Sequence, residues 1–156
     1  MNNYQDQKIK AQELYYKINS VFSPALKQRV FFSADGFNHI IFQNSRSERD
    51  RSSQILRFSL IPLAVKLIMT SSTFQEYEEI FKEVTIKKYK RKIKEQKIVK
   101  YWGLIAIIDN RKIKVVIRKI GDNGALHFWS IIPAWITSKC RDAKFVMTMT
   151  GRPDED

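Results

Sequence analysis

The sequence predicts an α+β fold, with a mostly helical first half followed by antiparallel strands in succession. Three observations carry this expectation. Residues 3–20 place Ile9, Leu14, Tyr15 and Ile18 at roughly helical spacing among charged residues. Helical periodicity returns at Ile55, Leu56, Phe58 and Leu60. Residues 113–120 and 125–132 then form two apolar runs separated by Gly121-Asp122-Asn123-Gly124 and closed by Pro133, the pattern of a long β-hairpin.

Between these anchors each element has a local reason. Ser23-Pro24 opens a new element, and proline at a first helical turn predicts a short helix to about residue 29. Residues 30–32 read as a strand, Asp35-Gly36 as a turn pair, and residues 37–42, with His39, as the return strand. Residues 44–53 are polar and arginine-rich, a loop or the exposed opening of a helix that Ser45 or Ser47 caps. Pro62 kinks that helix or starts the next, which runs to about residue 69. Ser71-Ser72-Thr73 before Glu76 resembles a capping box and predicts a short acidic helix over 74–82. Residues 84–94 and 98–108 read as strands, with Asp109-Asn110 turning the chain into the long hairpin. Residues 139–145 add a final strand or loop.

The length suits one domain, 1–150, with an acidic tail at 151–156 that frays. With 44% hydrophobic residues the chain has material for a core. The formal charge of +12 favours a polyanionic partner, most often nucleic acid. That charge is concentrated: between Val84 and Ile120 there are 13 Lys or Arg and only two acids, Glu95 and Asp109. The single cysteine, Cys140, forms no internal disulfide and no zinc-finger pattern, and two histidines are too few for a histidine-based metal cluster. No cofactor or metal is expected. No signal-peptide h-region is visible, and the most apolar stretch, 58–69, is broken by Ser59, Pro62 and Lys66, which reads as buried helix and gives no membrane call.

Alternation puts Ile113, Val115 and Ile117 on one face of the hairpin and Lys114, Val116 and Arg118 on the other. On the return strand His127 and Trp129 share one face, Phe128 and Ser130 the other. Metal-free RNA cleavage needs a base for the 2′-hydroxyl, an acid for the leaving oxygen and cations for the phosphorane. His39 and His127 suit the proton roles, and Arg118 and Lys114 the charge. Ser130 suits phosphate orientation, and Arg46, Arg49, Arg51 and Arg57 a phosphate grip. Each has a structural alternative: a hydrogen-bonded strand histidine, an arginine paired with Asp122 or Asp109, a solvated helix start. Trp102, Trp129 and Trp135 read as core more readily than as base-stacking platforms.

The segment K-V-V-I-R-K-I-G-D-N-G-A-L-H-F-W-S-I-I-P resembles the signature hairpin of the barnase–EndoU–colicin–RelE-like nuclease superfamily, particularly its phage-associated branches. Gly36 to Phe42, G-F-N-H-I-I-F, and the arginine-bearing helix ending near Leu60-Ile61-Pro62 fit the same layout. The likeness covers about residues 37–133, and the hairpin is its specific part. It implies N-terminal helices packed on a four- or five-stranded antiparallel sheet, with His39, Arg118, His127 and Ser130 at active-site positions. It also implies a metal-independent RNase, often a toxin aimed at tRNA or mRNA. The sheet shows no convincing catalytic glutamate of the barnase type, which leaves the general base between His39, His127 and a lysine.

The resulting expectation is an endoribonuclease toxin of the bacterial cytoplasm that leaves a cyclic phosphate. His127 serves as acid, His39 as partner base, Arg118 and Lys114 as phosphate stabilisers. Lys87, Lys88, Lys90, Arg91 and Lys92 hold the RNA backbone without reading sequence, and an acidic antitoxin or immunity protein covers the same surface. The alternatives are a non-catalytic RNA- or DNA-binding module and a structural protein of a mobile element.

Overall fold

The computed structural model describes residues 3–44 and 47–134. The expectations for Ser45, Arg46, Trp135, Cys140, the strand at 139–145 and the tail at 151–156 lie outside the described residues.

Helix α1 (Asn3–Ile18) buries Tyr4, Ala11 and Tyr15. A hairpin follows, β1 (Ser20–Ser23) and β2 (Gln28–Phe31), where a short helix was expected. Pro24 fits the second position of a turn as well as the first turn of a helix. The turn closes through Lys27 N–H to the Ser23 carbonyl at 2.7 Å, with Lys27 at φ 56°.

Helix α2 (Ala34–Ile41) replaces the expected turn and return strand. Phe37, Ile40 and Ile41 are buried together, so the apolar period is helical and not twofold. Asp35-Gly36 sits in the helix's first turn. Gly36 is there for clearance: a Cβ would run into the Phe128 carbonyl oxygen and the Tyr15 hydroxyl. Two short strands, β3 (Phe42–Asn44) and β4 (Ser47–Glu48), pair separately from the main sheet.

Helix α3 (Arg51–Thr70) is capped by Asp50, whose carboxylate accepts the Ser53 N–H at 2.7 Å; Ser47 lies in β4 instead. It continues through Pro62, and burial of Leu60, Ile61, Ala64, Leu67 and Ile68 around the missing N–H holds it as one helix. By length and hydropathy alone α3 could cross a membrane; here Phe58, Leu60, Ile61, Ala64, Leu67 and Ile68 are core, while Met69 is exposed.

The acidic helix expected at 74–82 is a strand, β5 (Glu76–Lys88), paired along its length with β6 (Arg91–Ile108). Pairing with a long apolar partner overrides the capping-box signal; Gln75 instead bonds across to Gly103 and Ile105. The single strand read at 84–94 contains the hairpin tip, Tyr89-Lys90, at φ 53° and 64°. That pair carries no Asn or Gly to announce a turn. Asp109-Asn110 makes the expected two-residue turn, at φ 51° and 63°, into β7 (Arg111–Ile120), and β8 (His127–Ala134) completes the sheet.

The sheet has six strands in the order β1-β2-β8-β7-β6-β5. It is mixed, because β2 and β8 run parallel, where four or five antiparallel strands were expected. The fold class is α+β. Leu104, Ile113, Val115, Ile117, Phe128 and Ile131 pack with the helices, while Val84, Val99, Tyr101, Val116 and Ile132 cluster on the opposite face. Alternation on β7 is as expected. On β8 the register skips Trp129, pairing Val116 with Ser130 and Ile117 with Phe128. This bulge puts Phe128 on the helix side and Ser130 on the other, so the two do not share a face.

Candidate active site

A cross-strand row of polar side chains runs over the sheet face away from the helices. Glu78 pairs with Tyr101, Tyr101 with Arg118, and Arg118 with His127. Arg118 is the hub. Its Nε–H donates to His127 Nε2 at 2.8 Å, and its Nη2 donates to Asp35 Oδ2 at 3.3 Å. The guanidinium carbon stands 3.6 Å from the centroid of the Trp129 ring. Trp129 also stacks on the His39 imidazole, centroids 4.2 Å apart and planes 17° from parallel. Asp35 and His39 are one turn apart on α2, so one helix face presents both. The β8 bulge is what brings Trp129 to meet them.

This arrangement favours His127 as an uncharged acceptor of the Arg118 N–H. Burial, then the Arg118 charge, lower its pKa to about 4, against opposition from the Ala125 carbonyl and Asp35. One tautomer satisfies the geometry: Nδ1–H directed at the Ala125 carbonyl at 3.3 Å, Nε2 accepting from Arg118. At neutral pH this imidazole has neither a proton nor a lone pair to offer a substrate. Both ring nitrogens are thus engaged, which bears against the expected acid role and suits a role in positioning Arg118. Burial also lowers the Arg118 pKa, with Tyr101 and Asp35 opposing.

Lys114 is placed elsewhere. It is fully buried in an ion pair with Glu76, and a side chain at Gly103 would come within 2.8 Å of the Glu76 carboxylate. Lys114 lies four residues, about 13 Å, along β7 from Arg118, so it does not join the cluster. Ser130 is buried opposite Val116, between the two. The residues expected in a helix over 74–82 put Glu76, Glu78 and Glu79 on the sheet instead, with Glu83 further along β5, and Glu78 belongs to the Arg118 row.

The arginines near α3 support the site's frame. Arg49 Nε donates to the His39 carbonyl at 3.1 Å, Arg51 lies 4.5 Å over the Tyr4 ring, and Arg57 donates to the Ile131 carbonyl. Lys87, Lys88, Lys90, Arg91 and Lys92 are exposed around the β5–β6 tip. Among the described residues no three His, Cys, Asp or Glu side chains gather as a metal site.

Two surface clefts lie away from the cluster. One of about 260 Å³ is lined by Leu26, Phe74, Lys100, Trp102, Lys119 and Leu126; the other, of about 500 Å³, borders Lys97 and the Gly121–Gly124 turn. The clefts carry lysines without a histidine beside them, whereas the cluster joins a histidine, an arginine and a carboxylate through hydrogen bonds. Sequence reasoning missed Asp35, taken for a turn residue, and Trp129, taken for core. Their signal was the Asp35–His39 spacing of four, visible only once α2 is read as a helix.

Comparison of the chain with protein-family models, curated proteins and solved structures found no match.

Proposed function

We propose that the protein is a metal-independent endoribonuclease. The observation that carries this reading is that His39 of α2 and Arg118 of β7 both pack against the ring of Trp129. The half-buried His39 imidazole takes the 2′-hydroxyl proton. The 2′-oxygen attacks phosphorus, Arg118 balances the charge that grows on the phosphorane, and the 5′-oxygen leaves with a proton from water. The products are a 2′,3′-cyclic phosphate and a 5′-hydroxyl. His127 and Asp35 hold the guanidinium fork in place. Asp35 is the exposed partner, and a substrate phosphate competes with it for Arg118.

The resemblance of the β7–β8 hairpin to the barnase–EndoU–colicin–RelE-like nucleases supports the same reading. So does the net charge of +12, which suits an RNA substrate such as tRNA or mRNA. A toxin role follows from that resemblance, with an acidic antitoxin or immunity protein covering the cationic surface and the bacterial cytoplasm as the place of action.

The burial of Arg118 favours a second reading, a non-catalytic RNA-binding module. Incubation with tRNA in EDTA separates the two. Discrete fragments with cyclic-phosphate ends, lost in His39→Ala while RNA binding persists, support the nuclease. Salt-dependent binding with no fragments from any RNA supports the module.

A further inference from the structure

The β5–β6 hairpin outgrows the sheet. β7 ends where Ile120 meets Val99, but the hairpin continues from the Phe81–Ile98 pair to the Lys88–Arg91 pair. Eight residue pairs form this two-stranded arm, about 26 Å long. Residues 81–98 hold eight Lys or Arg and two acids, Glu83 and Glu95. Both acids are already engaged, with Lys94 at 3.7 Å and Lys97 at 3.6 Å.

Two features of the arm oppose its own stability. The register sets like charges directly across from each other: Lys82 faces Lys97, Lys87 faces Lys92, and Lys88 faces Arg91. The tip holds two non-glycine residues, Tyr89 and Lys90, in the left-handed region, and leaves Tyr89 89% exposed. A polyanion lying along the ribbon removes the repulsion.

We propose that this arm lies in a groove of a double-helical RNA segment, so that the substrates of the nuclease are RNAs containing a stem beside the cleaved strand. The inference rests on the endoribonuclease reading and names its substrate class. Cations lie on both faces of the ribbon: Lys87 and Lys92 on the side of the helices, Lys88 and Arg91 on the other. The wide, shallow minor groove of an RNA duplex is the one open to a ribbon and is bordered by the phosphates of both strands, whereas a single strand presents one backbone. Proteins that hold single strands use rows of aromatic platforms, and the arm exposes only Tyr89 at its tip and Phe81 at its base. The tip lies ten residues along β6 from Tyr101, the neighbour of Arg118, or about 33 Å. The arm therefore reaches well beyond the reacting phosphate.

The test uses the full chain carrying His39→Ala, with and without Lys87, Lys88, Lys90, Arg91 and Lys92 all changed to Gln. Fluorescence anisotropy measures binding to a hairpin RNA with a stem of about ten base pairs and to an unstructured RNA of the same length. The expected result is a preference of about tenfold or more for the hairpin, lost in the five-Gln protein, with the log–log salt slope reduced by about 3 to 4. Equal affinity for the two RNAs, or an unchanged preference and slope in a five-Gln protein of unaltered thermal stability, overturns the proposal. The same RNAs offered to the protein with His39 intact keep the two readings apart. Arm-dependent hairpin binding without cleavage removes the nuclease and leaves the arm; cleavage and binding indifferent to the arm do the reverse.

Discussion

Replacing His127 by Gln should remove a pH dependence of stability that the native protein owes to one ring. In the folded chain burial and the neighbouring Arg118 hold the imidazole pKa at about 4, whereas the unfolded chain binds a proton near the ordinary value of about 6.5. The folded pKa is the lower of the two, so the unfolded state gains the proton first as pH falls. Stability from this group is therefore complete above about pH 6.5 and is lost progressively towards about pH 4. The gap of about 2.5 units corresponds to about 3 kcal/mol in total, or about 2 kcal/mol by pH 5. Gln can still accept from Arg118 Nε–H but does not titrate in this range. Urea unfolding at pH 7.5 and pH 5.0 should show a smaller acid loss in His127→Gln than in the native chain, by about 2 kcal/mol. With only two histidines, imidazole NMR titration assigns the ring through a His39→Gln control. Equal pH dependence in both proteins, or a His127 ring titrating near 6.5, would refute the picture of a neutral imidazole bonded to Arg118.

Other predictions follow from burial and clearance. Glu76→Gln leaves the fully buried Lys114 without its carboxylate and should cost about 3 kcal/mol in urea unfolding, with much of it recovered in the Glu76→Leu/Lys114→Met pair. Gly36→Ala drives a methyl into the Phe128 carbonyl and the Tyr15 hydroxyl; it should cost about 1 to 3 kcal/mol and lower RNA cleavage, because α2 carries His39. Asp50→Ala removes the α3 cap and should cost about 1 kcal/mol without altering the cleavage pattern.

The legibility of this fold in its sequence follows local chemistry. The β7–β8 hairpin was visible because Asp109-Asn110 and Gly121–Gly124 announce their turns and Ile113 to Ile120 is rich in β-branched residues. α2 was hidden because Asp35-Gly36 imitates a hairpin turn, and only the passing β8 backbone explains that glycine. β5 was hidden because its early residues are acidic and preceded by a capping-box sequence; distant pairing with β6 decides its state. Of the site, Arg118 and His127 were singled out by residue type and by the resemblance of their hairpin, and the strand register is what pairs them. The protonation of His127 was not legible, since it depends on burial and on a cation supplied by the neighbouring strand. Asp35 and Trp129 depended on a helix and a bulge that the pattern does not reveal.

The most direct test of the central claim is chemical rescue at His39. Native protein, His39→Ala and Arg118→Ala are incubated with tRNA in EDTA, with and without added imidazole, and fragment ends are mapped. The account predicts cyclic-phosphate ends from the native chain and a loss of about 10² to 10⁴ in rate for His39→Ala, partly restored by imidazole. Arg118→Ala should be inactive and beyond such rescue. Native-rate cleavage by His39→Ala, or intact RNA after incubation with the native chain, would contradict it.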